Sequence, residues 1–191
     1  MPPPSWTVSS PGWGASVADR PERPDLSTEA GRLAFIEYLN GRLPTKRVLA
    51  QGVLRNEHGE VLLCELTYKR EWDLPGGVVD PFESPATCVE RELSEELALE
   101  LQAGRLLAVN WLPPWRGWDD AVLYLFDLGT IHSGDLDPAH FLRREIRDIH
   151  WRSVADAAAH VAPYAARMLE VAADAEHTAY LENSEPRREV T

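Results

Sequence analysis

Three glutamates occur within the seven residues RELSEEL, which span positions 91–97. If this segment is helical, Glu92, Glu95 and Glu96 stand at positions i, i+3 and i+4, and their carboxylates share one face. Like charges at this spacing repel one another, whereas a hard cation such as Mg²⁺ binds several carboxylate oxygens and removes the repulsion. Taken alone, such a run is more often a solvated helix surface than a metal site, so the neighbouring residues decide between the two interpretations.

The residues before the glutamates follow a longer pattern of fixed spacing. Gly77 is followed after five residues by Glu83, and Glu83 is followed after seven residues by Arg91. Together with the glutamates, this stretch resembles the signature of the Nudix hydrolases, which is Gly, five residues, Glu, seven residues, Arg-Glu-aliphatic-x-Glu-Glu-x-Gly-aliphatic. Residues 77–99 match it at each fixed position except the last glycine, where this sequence has Ala98. A spaced match of this length favours the metal site over the solvated surface.

The resemblance implies an α/β fold of the Nudix type, in which a mixed sheet lies between helices in an α/β/α sandwich. It also implies a Mg²⁺ cofactor, for which Mn²⁺ is a substitute. Gly76 and Gly77, at the start of the box, let the backbone approach a metal and phosphates, because neither residue has a side chain. The implied metal ligands in this sequence are the carbonyl of Gly77 and the carboxylates of Glu92, Glu95 and Glu96.

Two further roles follow from the resemblance. The family pairs the arginine of the box with its first glutamate, here Arg91 with Glu83, as a structural ion pair. Nudix sites often take another acid from the loop before the last strand, which here is Glu145, with Asp148 as the second candidate and a plain surface acid as the alternative. The candidate catalytic residues are therefore Glu92, Glu95, Glu96 and Glu145.

The activity that the resemblance implies is hydrolysis of the diphosphate linkage of a nucleoside diphosphate joined to another group. ADP-ribose, nucleotide sugars, dinucleoside polyphosphates and nucleoside triphosphates all remain open as substrates. A second hypothesis is a Nudix-like sensor that binds a nucleotide without cleaving it, and a third is a diphosphate isomerase that uses a cysteine such as Cys64. The complete set of box carboxylates favours the hydrolase.

Residues 110–120 have the most unusual composition in the chain. Trp111, Trp115 and Trp118 surround Arg116, and this combination is suited to stacking a nucleobase or sugar and holding a phosphate. The alternative is that Trp111 belongs to the core and the other two cover a loop. We favour ligand contact, because aromatic loops facing a Nudix pocket commonly set its specificity.

Composition limits the class of partner. The chain has 191 residues, of which 44% are hydrophobic, and 19 basic against 31 acidic residues give a net charge of −12. Such a charge argues against nucleic acid as the partner but leaves room for a small phosphorylated ligand. No apolar run is long enough to span a bilayer, the first residues lack a secretory pattern, and Cys64 and Cys88 are expected to be buried thiols. A cytoplasmic protein is expected.

Apolar periodicity and turn residues predict the elements that position these groups. A helix is expected over residues 27–40, and a second helix begins after the N-cap Ser84. With Ala98 in place of glycine, that second helix is expected to continue to about Gln102. A last helical region is expected over residues 154–181, divided at Pro163. Strands are predicted at residues 47–56, 60–68, 105–112, 121–129 and 146–151, with a short extended segment at 72–80.

The predicted organisation has three parts. Residues 1–26 form a proline-rich arm, residues 27–182 form one Nudix domain, and residues 183–191 form a frayed tail. The tryptophans of the arm, Trp6 and Trp13, make a homodimer compatible with the sequence.

Overall fold

The computed structural model describes residues 24–115, 117–174 and 176–187. Most of the predicted arm, including Trp6 and Trp13, therefore lies outside the described residues, and so do Arg116 and the last four residues. The chain divides after Thr45 into two compact units. No helix among the described residues is both long and apolar enough to cross a membrane.

The first unit contains the predicted helix α1, Glu29–Asn40, whose N-cap Thr28 accepts a hydrogen bond from the Gly31 amide at 3.0 Å. The second unit carries the remaining helices and strands. The strands are β1 (Arg47–Arg55), β2 (Val61–Leu66), β3 (Gly76–Val78), β4 (Leu106–Leu112), β5 (Ala121–Thr130), β6 (Ile146–Arg152), β7 (Ala179–Glu182) and β8 (Glu185–Pro186). The helices of this unit are α2 (Pro85–Leu97), α3 (Val154–Ala157) and α4 (Pro163–Asp174).

The strands of the described region form one mixed sheet in the order β6-β2-β1-β5-β4-β7-β8, with β3 paired to β1 beside this row. Strand β2 pairs with β1 only at Arg55 and Val61. Nearer the start of β1 the place of β2 is taken by β3, which sets Gly77 opposite Ala50. The separation of β1 from β2 thus brings the glycine pair of the box into the sheet.

The two faces of the sheet are covered by different helices. On one face α2 packs Cys88, Val89, Leu93 and Leu97 onto sheet residues such as Leu54. On the other face α4 packs onto a second apolar cluster. Alternation of side chains along each strand sends successive apolar residues to opposite faces, which is why one sheet serves two cores. The predicted α/β class with a mixed sheet between helices is confirmed, and Cys64 and Cys88 are buried as expected.

Helix α2 begins as predicted and ends earlier than predicted. Ser84 caps it by accepting a hydrogen bond from the Thr87 amide at 3.1 Å. The expected continuation to Gln102 is wrong, because Ala98 adopts a left-handed conformation with φ 54° and ψ 36°. This turn lets Leu99 pack against the core under α2, and the Leu99 amide bonds to the Leu93 carbonyl at 3.1 Å. Burial of Leu99 and the C-terminal hydrogen bonds outweigh the strain on alanine, about 1–2 kcal/mol.

The C-terminal region also differs from its prediction. The helix expected to reach Leu181 ends at Asp174, because Leu181 lies in β7 and is fully buried beside β4. Strand β8 follows after a tight turn at Asn183 and Ser184, both of which have positive φ. The frayed tail predicted from residue 183 is therefore wrong as far as Pro186. Local helix propensity yields here to long-range strand pairing and burial of an apolar side chain.

Candidate functional site

Helix α2 presents the three glutamates on one face but at different depths. Glu95 is 56% exposed as a side chain, whereas Glu96 is only 5% exposed. Burial, together with the nearby carboxylates of Glu92, Glu145 and Asp73, raises the pKa of Glu96 to about 8. Burial also raises the pKa of Glu92, although the adjacent arginine opposes this. The face thus holds a strongly disfavoured negative charge at its inner end.

The glycine pair fits against these carboxylates. A Cβ atom placed on Gly77 would overlap the carboxylate of Glu92. Gly76 has φ +130°, and a Cβ atom there would overlap the Ala50 carbonyl of the neighbouring strand. Gly76 is required by its backbone conformation and by the close approach of a strand, whereas Gly77 lets the Glu92 carboxylate lie against the backbone.

Arg91 connects the start of the box to its glutamates. Its Nε and Nη2 atoms donate to the two carboxylate oxygens of Glu83 at 2.8 and 3.1 Å, and this bidentate pair lowers the pKa of Glu83 to about 2. The predicted ion pair is thus present. Arg91 also contacts the glutamates of the helix, since Nη1 donates to Glu92 at 3.0 Å and to Glu95 at 3.2 Å. Arg91 braces the loop and at the same time holds two of the candidate ligands.

Two acids from other elements face the same centre. Glu145 precedes β6 and acts electrostatically on Glu92 and Glu96, so the loop acid lies beside the helix face. Asp73 precedes the glycine pair and likewise acts on Glu96. The second candidate from this loop, Asp148, lies in β6 and its carboxylate accepts the Ile149 amide at 2.9 Å. Of the two loop acids, Glu145 is the one that joins the cluster.

The donor set can be compared with the needs of a divalent cation. Hard cations take carboxylate and carbonyl oxygens, which this cluster supplies, and a cation would relieve the mutual repulsion around Glu96. Among the described residues, however, no three His, Cys, Asp or Glu side chains are arranged ready to hold an ion. Arg91 turns Glu92 and Glu95 toward itself, so ion binding requires those side chains to rotate. The chemistry fits Mg²⁺, and the side-chain positions would adjust to it.

Comparison with known proteins agrees with the pattern and the geometry. The family model for the NUDIX domain matches residues 45–174, which is more than half of the chain. The chain belongs to the Nudix family. A 66-residue stretch, 35% of this Nudix chain, is 35% identical to an RNA pyrophosphohydrolase of Pseudomonas fluorescens, and the match spans 38% of that relative.

Two solved structures resemble the Nudix fold described above. The MutT protein from Methanosarcina mazei Go1 is 25% identical, with a TM-score of 0.58 over 69% of this chain and 96% of that one. The structure of a UDP-X diphosphatase is 16% identical, with a TM-score of 0.59 over 81% of this chain and 75% of the other. The second likeness concerns the fold alone.

The tryptophan segment of this Nudix domain lies between β4 and β5. Trp111 belongs to β4, is half-buried, and donates from Nε1 to Asp120 at 3.1 Å. Asp120 is also paired with Lys46, and these contacts lower its pKa. Trp111 is therefore held in place by a hydrogen bond at the base of the segment.

The other two tryptophans are exposed at the tip of this segment. Trp115 and Trp118 are each 62% exposed, and their backbones exchange two hydrogen bonds of 3.0 and 2.9 Å. The Arg47 guanidinium lies 4.5 Å from the centre of the Trp118 ring. Arg47 begins β1. It precedes Ala50, the strand partner of Gly77, by three residues, which is about 10 Å along the strand. The predicted contact Arg116 lies outside the described residues.

Several groups near the carboxylates had not been predicted from the sequence. Asp73 accepts a hydrogen bond from Gln51 Nε2 at 2.7 Å and pairs with Lys69. Tyr68 is exposed as a residue, but partial desolvation of its hydroxyl, together with Glu96 and other acids of the cluster, raises the pKa of that hydroxyl. One feature of the sequence could have indicated Asp73 as a residue of the site. Asp73 stands in WDLPGG, three residues before the glycine pair, where the backbone returns to the sheet.

Proposed function

We propose that this Nudix protein is a Mg²⁺-dependent hydrolase that cleaves the diphosphate linkage of a nucleoside diphosphate joined to another group. One observation carries the proposal. A carboxylate that is 5% exposed, Glu96, is surrounded by further acids on a helix face whose Glu92 carboxylate fits against Gly77. Such an arrangement lowers stability by itself, and a function that needs concentrated negative charge accounts for it.

The metal would be held by Glu92, Glu95, Glu96 and the carbonyl of Gly77. When bound, Mg²⁺ or Mn²⁺ neutralises charge on phosphate oxygens and lowers the pKa of the attacking water. The Glu92 carboxylate occupies the place that a side chain would take at Gly77, so this carboxylate and the backbone of Gly77 lie side by side.

The remaining groups of the cluster would position the ligands and move a proton. Arg91 anchors the helix face to the preceding loop through Glu83 and sets the approach of Glu92 and Glu95. Glu145 lies on a loop outside the helix and is the group that we assign as proton acceptor from the attacking water.

The exposed tryptophans support a nucleobase as one end of the substrate. Trp115 and Trp118 offer two aromatic faces at the edge of the sheet where β1 begins, and Arg47 lies against one of them. Stacking of a base on such faces contributes about 1–3 kcal/mol. The net charge of −12 disfavours RNA as the substrate, since RNA binding relies on clustered cations that neutralise the backbone. A cytoplasmic location and a homodimer remain predictions from the sequence.

The test is isotope transfer from water into the products. A panel containing ADP-ribose, a nucleotide sugar, a dinucleoside polyphosphate and a nucleoside triphosphate is incubated in H₂¹⁸O with Mg²⁺, and the products are weighed by mass spectrometry. We expect one ¹⁸O atom in one phosphate-containing product of at least one compound and no product in EDTA. A Glu96→Gln variant serves as the inactive control. Metal-dependent nucleotide binding without labelled product from any compound would support the alternative, a Nudix-like sensor, and contradict hydrolysis.

A further inference from the structure

A polar pocket of about 430 Å³ lies at the loop between β2 and β3. Its lining contains more cations than anions, in a chain whose net charge is −12. The lining residues are Glu65, Thr67, Tyr68, Lys69, Arg70 and Arg147. We refer to it below as the loop pocket.

The cationic side chains of the loop pocket differ in whether they have an ionic partner. Arg147 donates to Glu65 at 3.0 Å, and Glu65 also lies 3.0 Å from the ring nitrogen of His150. Lys69 is paired with Asp73. Within the described part of the chain, Arg70 forms no ion pair, and its side chain is exposed in the pocket wall. The pocket thus offers one uncompensated guanidinium beside two cations that are already held in place.

The loop pocket adjoins the carboxylate cluster. Thr67 donates its amide to the Glu145 carbonyl at 2.9 Å and its hydroxyl to the Arg144 carbonyl at 2.7 Å. These bonds fix the pocket wall to the loop that carries Glu145. Tyr68 lines the pocket, and its hydroxyl is close enough to Glu96 and Glu145 to be affected by their charge. A ligand that contacts the cluster and continues past Tyr68 therefore enters the loop pocket.

The sheet order sets the direction of such a ligand. The loop pocket follows β2 and borders β6, and the tryptophan tip (Trp115 and Trp118) joins β4 to β5. The glycine pair lies between them in β3, which pairs with β1. All three lie at the same end of the sheet, because Leu66 ends β2, Arg47 begins β1 and Ala121 begins β5. The strand order places β2 at least three strand spacings from β4, about 14 Å, and the separation of β2 from β1 at this end adds to that distance. A ligand that spans this distance has one end at the aromatic rings and the other at the cations.

We propose that the loop pocket binds a phosphate group beyond the cleaved diphosphate, so that the preferred substrates are nucleosides with a chain of three or more phosphates. Arg70 and Arg147 are the specificity residues of this pocket. The inference rests on the proposed function for the cleaved linkage, but the affinity of the pocket can be measured without turnover. Guanidinium groups suit this task, because their planar donors match phosphate oxygens.

The experiment compares inorganic tripolyphosphate with inorganic pyrophosphate as ligands of the full chain by titration calorimetry in Ca²⁺ buffer. We expect Arg70→Ala to weaken tripolyphosphate binding about tenfold, which is about 1.4 kcal/mol, and to change pyrophosphate binding less than twofold. Arg70→Lys should recover part of the loss. The matched control is Arg187→Ala, an exposed arginine after β8 at the opposite edge of the sheet, which should change neither affinity.

Kinetics separate this inference from the proposed function. Arg70→Ala and Arg147→Ala should raise KM for a nucleoside triphosphate and for a dinucleoside tetraphosphate about tenfold, with KM for ADP-ribose unchanged. If Arg70→Ala weakens the binding of both inorganic ligands equally, or of neither, the proposed phosphate site in the loop pocket is refuted. If no compound is hydrolysed, hydrolysis fails while the calorimetry still decides whether the pocket binds the extra phosphate. Thermal unfolding of each variant confirms that it is folded.

Discussion

The buried carboxylate of Glu96 leads to a prediction about stability in the absence of metal. Its pKa is raised to about 8 from an ordinary value of 4.5, so the folded protein holds the proton more tightly than the unfolded chain. Between these values stability falls as pH rises, because ionisation is penalised only in the folded state. At pH 7.5, about three pH units above the ordinary pKa, the free-energy penalty on the folded state reaches about 4 kcal/mol. Rotation of the side chain toward water reduces this penalty to about 2–4 kcal/mol.

The perturbation is Glu96→Gln, which keeps the shape and helix propensity of the side chain and removes the charge. In EDTA at pH 7.5 we expect this variant to be about 2–4 kcal/mol more stable than the parent protein. Near pH 4.5 the difference should disappear, because the parent carboxyl is then protonated in the folded state. The assay is urea unfolding followed by circular dichroism from pH 4.5 to 8. Glu95→Gln is the matched control, since that side chain is exposed on the same helix.

Addition of Mg²⁺ should offset most of the difference in stability between the parent protein and Glu96→Gln at pH 7.5. A ligand present at one hundred times its dissociation constant stabilises the folded state by about 2.7 kcal/mol. The parent protein should gain this amount at pH 7.5, and Glu96→Gln should gain much less. A difference between the two proteins that does not change with pH, or a variant less stable than the parent in EDTA at pH 7.5, would refute the assignment of a buried, ionising carboxylate at this position.

Three further changes test other parts of the site. Ala98→Gly should stabilise the protein by about 1 kcal/mol in urea unfolding, because glycine adopts the observed left-handed conformation without strain; no gain would contradict the strain argument. Gly77→Ala should weaken Mg²⁺ binding in calorimetry and lower kcat, because its Cβ displaces the Glu92 carboxylate, and unchanged Mg²⁺ affinity would disprove that packing. Trp115→Ala should raise KM for a nucleotide substrate more than it lowers kcat, because stacking stabilises the bound and transition states alike; an unchanged KM would make the tryptophan tip a simple cover.

Features that depend on neighbouring residues could be predicted from the sequence. The spacing of Glu92, Glu95 and Glu96 follows from the helical repeat, and the start of α2 follows from Ser84 and Pro85. Strands β1, β2, β4, β5 and β6 lie where alternating apolar residues predicted them. The pairing of Arg91 with Glu83 came from the resemblance, because seven residues of loop and helix separate the two and no local rule joins them.

Features that depend on distant residues could not be predicted in this way. Asp73 and Glu145 are 72 positions apart in sequence and meet beside Glu96 only because β2 pairs with β6 and β3 pairs with β1. The assignment of residues 179–182 to a strand depends on β4, more than sixty residues earlier. The left-handed Ala98 likewise depends on the core that receives Leu99, which the residue type at position 98 does not indicate.

Arg91 links the stability of the site to its readiness for a cation. One guanidinium holds Glu83 through two nitrogens and contacts Glu92 and Glu95 through the third, so it partly offsets the repulsion on the outer part of the helix face. It leaves Glu96 without such compensation, since the groups that act most strongly on that carboxylate are acidic. The uncompensated charge is thus concentrated at the buried inner end of the face. A cation that binds there relieves the repulsion on Glu96, the most strongly disfavoured charge of the face. Glu92 and Glu95 can then exchange Arg91 for the ion.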